Sequence, residues 1–276
     1  MLPDSQDRHV RVLTGVVASR FPRRSGEGQS IRGGSIVLRT AAVDYARQAA
    51  GLSHRRDEVV GSSGGPAGNA RLTAWTGLLL LVLFGAELVT LLDVRGWIDW
   101  HIVIGVLLIP PALVKTASTG WRIVRYYAGS RPYRDAGPPT FVLRLLGPLV
   151  VLFTLAVLGS GVALILVSPD AGRRAFVSAA GVGVSLLMIH KATFVLWGIV
   201  TGAHTLGRLI PALQLTVLPW SDRPRVPGRN RRSATLAAAV VSGALAAVLA
   251  LSVAGGWRTA SADRAHFHDG HAHGGR

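Results

Sequence analysis

The hydrophobic positions of the chain fall into five long apolar segments separated by short polar stretches. These segments lie near residues 72–94, 97–119, 145–167, 175–203 and 234–256. Each is long enough to cross a bilayer as a helix, which takes about 20 apolar residues. The third and fifth contain no charged residue at all. The pattern therefore predicts an all-α integral membrane protein with five transmembrane helices.

The second segment contains two features that interrupt a regular apolar helix. Pro110 and Pro111 stand in tandem, and Lys115 follows them. Proline lacks a backbone donor and its ring clashes with the preceding turn, so we expect a kink at this point. Lys115 lies near the inner end, where its ammonium group can reach the headgroup region or stabilise a quinone oxygen or a proton path.

Composition agrees with a membrane protein and excludes several kinds of chemistry. Hydrophobic residues make up 49% of the chain and charged residues 16%, and there is no cysteine. Disulfides, thiolate metal sites and thiol catalysis are therefore excluded. A phosphate-binding glycine loop, a nucleophile elbow and a His-Glu-x-x-His motif are also missing from the sequence.

The net charge of +16 is carried by arginines that flank the apolar segments. Contact with anionic lipid headgroups accounts for them without nucleic-acid binding. The positive-inside rule assigns the arginine-rich loops to the cytoplasm. We expect a multi-pass protein of the cell membrane with a cytoplasmic N-terminus and an external C-terminus. The loop arginines are Arg122, Arg125, Arg131 and Arg134 after the second segment, and Arg208, Arg223, Arg225, Arg229, Arg231 and Arg232 after the fourth.

The segments outside the spans differ in composition from one another. Residues 1–70 form a leader rich in arginine, glycine and serine, which predicts disorder with a short amphipathic helix near 36–50. No signal peptide is evident, and a true start nearer the first span is an alternative hypothesis. A four-helix domain is expected over 71–210, a basic cytoplasmic loop over 211–233, the fifth helix over 234–256 and an external tail over 257–276.

His190 and His204 stand fourteen residues apart in the fourth segment. At 100° and 1.5 Å per residue they lie only about 40° apart around a helix and ~21 Å apart along it. Two imidazoles on one helix face suit axial ligands of stacked haems. The alternative is a pair of packed histidines, although ionisable groups within a membrane usually face a functional interior.

His101, near the outer end of the second span, provides a partner for one of these histidines. Counting outward from Trp121 and Leu206 places His101 level with about Val184, so that His190 lies only ~6 Å deeper. We therefore predict His101 and His190 as an axial pair. His204 has no histidine at its own depth in another span.

Four spans with one histidine on the second and two on the fourth resemble the prokaryotic cytochrome b-561 type, a four-helix membrane haem protein. The segments at 100–105 (WHIVIG) and 190–197 (HKATFVLW) also look like those of actinobacterial membrane proteins with a cytochrome-b-like domain. The resemblance covers about residues 72–210. It implies a haem b held by His101 and His190. It also implies a second haem at His204 with a histidine at the start of the first span, but that start reads RLTAW at 71–75.

Several neighbours fit a haem site. Gly105 lies one turn below His101, and Gly159, Gly161, Gly181 and Gly183 are placed for close backbone approach to a macrocycle. The same glycines also suit tight packing between helices. Arg173 and Arg174 lie on the external side, where haem propionates could point.

Glu87 is the only carboxylate well inside the first span, at a depth close to that of His190 and Lys191. It either hydrogen-bonds a ligating imidazole or forms a buried ion pair with Lys191. The first role supports a metal ligand, whereas the second holds two spans together.

The C-terminal tail offers a different chemistry. Alternating imidazoles in a flexible peptide bind Zn²⁺, Cu²⁺ or Ni²⁺ with little selectivity. The four tail histidines are His266, His268, His271 and His273.

The leading hypothesis is a membrane haem b protein that passes electrons between the quinone pool and a partner redox centre. It would be an electron-transfer subunit of an oxidoreductase system, with a molybdopterin oxidoreductase as one possible partner, and not a stand-alone enzyme. The alternatives are a metal-handling accessory protein that uses its tail, or a haem-free scaffold subunit.

Overall fold

Five long helical spans dominate the computed structural model, which describes residues 28–52, 57–137, 140–179, 181–216 and 225–260. By length and composition each can cross a membrane, so the prediction of a multi-pass, all-α membrane protein is confirmed at that level. The chain divides into two units, residues 1–39 and 40–276. The spans are Gly65–Asp93, Ile98–Tyr127, Phe141–Leu166, Leu186–Leu206 and Arg229–Val253.

The helices are numbered in chain order. They are α1 (Gly28–Ala49), α2 (Gly65–Thr90, followed by a 3-10 turn over Leu91–Asp93), α3 (Ile98–Leu107), α4 (Ile109–Tyr127), α5 (Arg131–Asp135), α6 (Phe141–Leu166), α7 (Pro169–Arg173), α8 (Leu186–Leu206), α9 (Leu209–Thr216) and α10 (Arg229–Val253). One antiparallel hairpin joins strands β1 (Val177–Ala179) and β2 (Val182–Val184).

Within the leader, α1 occupies Gly28–Ala49 and includes most of the short helix predicted near 36–50. Near its end, the Tyr45 hydroxyl donates a hydrogen bond to the Ala203 carbonyl and its ring lies against Gly207. A contact between parts of the chain that are distant in sequence offsets some of the conformational entropy that is lost when this segment becomes ordered. Residues 1–27 lie outside the described part.

The second span breaks where the tandem prolines predicted a kink. α3 ends at Leu107, and α4 begins at Ile109 with Pro110 and Pro111 in its first turn. Proline is tolerated there because the first N–H groups of a helix have no intrahelical acceptor. Leu108, at the break, is only 1% exposed.

The fourth span is shorter than predicted, because the hairpin replaces its first part. Val177 pairs with Val184, and Gly181 in the turn has a φ of 79°. β-branched residues favour strands, and glycine readily takes the positive φ that a tight turn requires. The prediction of a span beginning near residue 175 is therefore wrong, and α8 begins only at Leu186.

Packing brings spans that are distant in the chain into contact. α6 packs against α8, α2 packs against α3, α4 and α9, and α10 packs against α3 and α4. Gly243 allows α10 to approach the kink closely, since a Cβ there would lie 3.0 Å from the Leu107 carbonyl oxygen. Val248 and Leu249 are each 68% exposed on the other side of α10, as suits a lipid-facing surface.

Candidate functional site

His101 and His190 are brought together near the beginnings of their helices. They are the fourth residue of α3 and the fifth residue of α8. Their ring centroids are 6.3 Å apart, and the ring planes are nearly perpendicular at 86°. The sequence paired these residues by depth, and the structure places their rings side by side.

The Nδ1 atom of His101 is held from α2. It lies 2.8 Å from Glu87 Oε1 and 3.1 Å from the Thr90 hydroxyl. The single proton of that hydroxyl is directed at the Glu87 carbonyl, 2.6 Å away. The Thr90 oxygen is therefore left to accept, and both partners favour a proton on His101 Nδ1.

A hydroxyl on α6 holds the other imidazole in the same way. Ser160 Oγ donates to the Val157 carbonyl at 3.0 Å and lies 3.1 Å from His190 Nδ1. Since its one proton is already used, the Ser160 oxygen accepts from the ring. Both contacts fit a ring that carries its proton on Nδ1. That tautomer leaves a lone pair on Nε2, as a metal ligand needs.

A cavity of about 250 Å³ adjoins the two rings. Its polar side chains are confined to the two histidines, Glu87, Lys191 and the indoles. The lining residues are Phe84, Glu87, Leu91, Val94, Ile98, His101, Ile102, Gly105, Val106, Leu108, Ile109, Val157, Leu158, Gly161, Val162, Leu164, Ile165, Leu187, His190, Lys191, Phe194, Trp197 and Trp257.

Of the predicted glycines, two lie at the cavity. A Cβ at Gly161 would lie 3.2 Å from His190 Cε1, and a Cβ at Gly105 would lie 3.6 Å from Glu87 Oε1. Gly159 has no such neighbour within 4 Å. Gly181 and Gly183 belong to the hairpin, so their prediction as residues of the fourth span is wrong.

The charged residues that the sequence predicted near the haem site differ in their relation to the cavity. Glu87 hydrogen-bonds His101, and within the described ranges it makes no ion pair with Lys191. Lys191 is exposed and contributes to the cavity wall. The Arg173 guanidinium stacks 5.1 Å from the ring centre of Trp257, a wall residue, whereas Arg174 is exposed in the loop before β1.

His204 lies in a second cluster, far along α8 from His190. Lys115 and Arg208 both act electrostatically on its imidazole, and its buried Nδ1 has no hydrogen-bond partner in the described structure. Lys115 Nζ donates to the Thr73 carbonyl at 3.3 Å. Lys115 is therefore separate from the cavity. Among the described residues, a positive charge and not a second imidazole acts on His204.

Sequence reasoning missed three residues of the site. Thr90 and Ser160 are hydroxyls in apolar spans, a signal that could have marked them as partners of buried groups. Trp257 follows α10 and donates its indole N–H to the Leu164 and Val167 carbonyls at the end of α6, at 2.7 Å and 2.9 Å. Its contact with the cavity depends on chain folding that no local pattern reveals.

The tail histidines predicted to bind metal lie outside the described residues. Among residues that the structure does describe, no group of three or more histidine, aspartate or glutamate side chains is placed to hold a metal ion. The metal-binding tail stays a prediction.

Comparisons with known proteins add no relative. No family model, no curated protein and no solved structure matches this chain.

Proposed function

We propose that this protein binds haem b between His101 and His190 and transfers electrons within the membrane. The observation that carries the proposal is the pair of imidazoles 6.3 Å apart, each with its Nδ1–H engaged. Two imidazoles bound through one nitrogen each to the same iron, at ~2 Å per bond, have ring centres about 6 Å apart. Perpendicular ring planes are compatible with this ligation, because each ring can rotate about its iron–nitrogen bond.

The walls of the cavity support an apolar macrocycle as the ligand. The aliphatic and aromatic side chains exclude water, and the glycine at 161 leaves room beside His190. The volume of about 250 Å³ is below the roughly 300–1,000 Å³ of most ligand pockets. Binding therefore requires lining side chains such as Phe194 and Leu158 to move apart.

The residues around the imidazoles have defined tasks in this proposal. Haem, when bound, supplies one-electron redox chemistry. Glu87 and Thr90 hold the proton on His101 Nδ1 and fix the orientation of the ring, and Ser160 does the same for His190. A carboxylate that accepts from one nitrogen of a ligating imidazole also strengthens the bond that the other nitrogen makes to a metal.

The proposal includes one haem and a quinone-linked pathway. The histidine pattern resembles the prokaryotic cytochrome b-561 type, and among the described residues no second imidazole is a partner of His204. Electrons would pass between the quinone pool and a partner redox centre, with a molybdopterin oxidoreductase as a candidate partner. The arginine distribution supports a cytoplasmic N-terminus and an external C-terminus in the cell membrane.

A reduced-minus-oxidised absorption spectrum of the detergent-purified full chain, expressed with sufficient haem, tests the proposal. We expect the bands of a low-spin haem b with two nitrogen ligands, at one haem per chain, and reduction by a short-chain quinol. Protein that folds as a helical monodisperse species and contains no haem would overturn the proposal. Haem that quinol does not reduce would remove the quinone step alone.

A further inference from the structure

The His204 end of the bundle concentrates positive charge without enough negative charge to balance it. Lys115 on α4 and Arg208 after α8 interact electrostatically with each other, and Arg208 also interacts with Arg122 and Asp57. Asp57 forms an ion pair with Arg122. Three cations thus face one carboxylate among the described residues of this cluster, and two positive charges are left without a counter-ion there.

The structure makes room for these charges inside the bundle. Gly77 on α2 faces the Lys115 ammonium, and a Cβ at this position would lie only 2.8 Å from Nζ. The Lys115 ammonium donates to one main-chain carbonyl, that of Thr73, at 3.3 Å. A carbonyl satisfies one donor of the ammonium but does not neutralise its charge. Partly buried charges that are not neutralised are expensive, so the cluster favours an anion from outside the chain.

Two buried nitrogen atoms are also without partners in the described part of the cluster. They are His204 Nδ1 and Arg122 Nε. Buried polar atoms are nearly always hydrogen-bonded. A buried nitrogen without a partner therefore indicates a place where a bound group can supply the missing hydrogen bond. The imidazole nitrogen can donate to an anion, and the guanidinium N–H can do so as well.

The surroundings of the cluster are those of a membrane boundary. His204 lies two residues before the end of the span Leu186–Leu206, and Arg122 lies five residues before the end of the span Ile98–Tyr127. Two residues close to the cluster in sequence are exposed. Trp121, which precedes Arg122, is 55% exposed, and Leu206, between His204 and Arg208, is 70% exposed. An exposed tryptophan at a span end is typical of the headgroup level, and an exposed leucine there can contact an acyl chain. Basic pockets between membrane helices on the cytoplasmic side bind anionic headgroups.

We propose that Lys115, Arg208 and His204 form a binding site for the phosphate group of an anionic phospholipid. Lys115 and Arg208 contact the phosphate oxygens, and the acyl chains lie on the adjacent apolar surface. A zwitterionic lipid fits less well, because its choline would face the same cations. The site goes beyond the proposed electron transfer and does not depend on haem binding.

The test uses delipidated full-length protein in detergent, titrated with phosphatidylglycerol, with phosphatidylcholine and with inorganic phosphate. Native mass spectrometry reports bound lipid, and thermal unfolding reports stabilisation. We expect phosphatidylglycerol to bind and to raise the unfolding temperature, and the other two probes to have little effect. In Lys115→Met/Arg208→Gln, affinity for phosphatidylglycerol should fall by ~10–30-fold, given the attraction of each basic side chain to anionic lipid.

Arg131→Gln/Arg134→Gln is the matched control, because it removes the same charge from exposed positions after α4. It should keep the wild-type lipid preference, as should His101→Ala. Equal binding of both lipids by the wild type, or an unchanged preference in the Lys115/Arg208 variant, would overturn the proposal. Stabilisation by inorganic phosphate alone would overturn the lipid as the source. If the double variant does not fold, Arg208→Gln alone must weaken phosphatidylglycerol binding.

Discussion

The two histidines of α8 have the same chemistry and opposite surroundings. His190 has its Nδ1 placed against Ser160 on α6 and its ring next to His101 at an apolar cavity. His204 Nδ1 has no hydrogen-bond partner within the described part of the chain, and Lys115 and Arg208 act on its ring electrostatically. One end of the helix therefore places an imidazole beside a second imidazole at an apolar cavity, and the other end places an imidazole among positive charges.

The difference between the two regions comes from the side chains that surround each histidine. At the His190 end, Glu87, Thr90 and Ser160 supply acceptors that orient the imidazoles. At the His204 end, Lys115 supplies a donor and a positive charge. A histidine pattern on one helix is thus insufficient to define a haem site, since the opposite helices decide which nitrogen is free and which charge is close.

The largest expected effect separates the two histidines directly. His190→Ala removes an axial ligand and should reduce haem content to near background, whereas His204→Ala should keep one haem per chain. Pyridine haemochrome assay of equal amounts of purified protein measures the difference. Equal haem loss in the two variants would contradict the division between the regions.

A smaller effect is expected when the carboxylate at the cavity is neutralised. Glu87→Gln keeps an acceptor for His101 Nδ1 and removes the charge, so haem affinity should fall by ~10-fold, the lower end for partners of metal ligands. Haem retention and the midpoint potential by redox titration measure this effect. The control is Glu58→Gln, an exposed position. An unchanged affinity and potential in Glu87→Gln would show that Glu87 does not act on the ligand.

A matched pair of glycines tests the space beside His190. In Gly161→Ala the new Cβ lies 3.2 Å from His190 Cε1, so the ring must shift by a few tenths of an ångström. We expect a small change in the haem band positions and a partial loss of haem. Gly159→Ala meets no atom within 4 Å and should keep the wild-type spectrum. Identical spectra for the two variants would mean that this contact does not position His190.

The smallest expected effect is a loss of stability. It concerns the packing of α6 against α8, between the two regions. Trp197 donates its indole N–H to Thr154 Oγ1 at 3.0 Å, and the side chain of Trp197 is buried. Trp197→Phe loses this bond and should reduce the free energy of unfolding by ~1 kcal/mol. Trp100→Phe, at a position 63% exposed, should have no measurable effect in the same denaturation experiment. A loss as large in Trp100→Phe would contradict the assignment.

Part of this site could be predicted because depth in a membrane is a linear function of position along a helix. Counting residues was enough to pair His101 with His190 and to leave His204 without a histidine partner. Spacing along the chain could not decide whether Glu87 contacts His101 or Lys191, because it does not encode the rotation of α2 about its axis. The hairpin at 177–184 was missed because short runs of valine and glycine suit either an apolar span or a strand.

The sequence by itself determined the number of spans, the kink at Pro110 and Pro111, and the depth of the histidines. Hydrophobic length and the missing proline donor act locally, so neither depends on how the helices pack. Tertiary structure alone decided that Thr90 and Ser160 hold the two imidazoles and that Lys115 lies beside His204. Those relations join different helices, and their distances depend on how the helices are rotated and packed against one another.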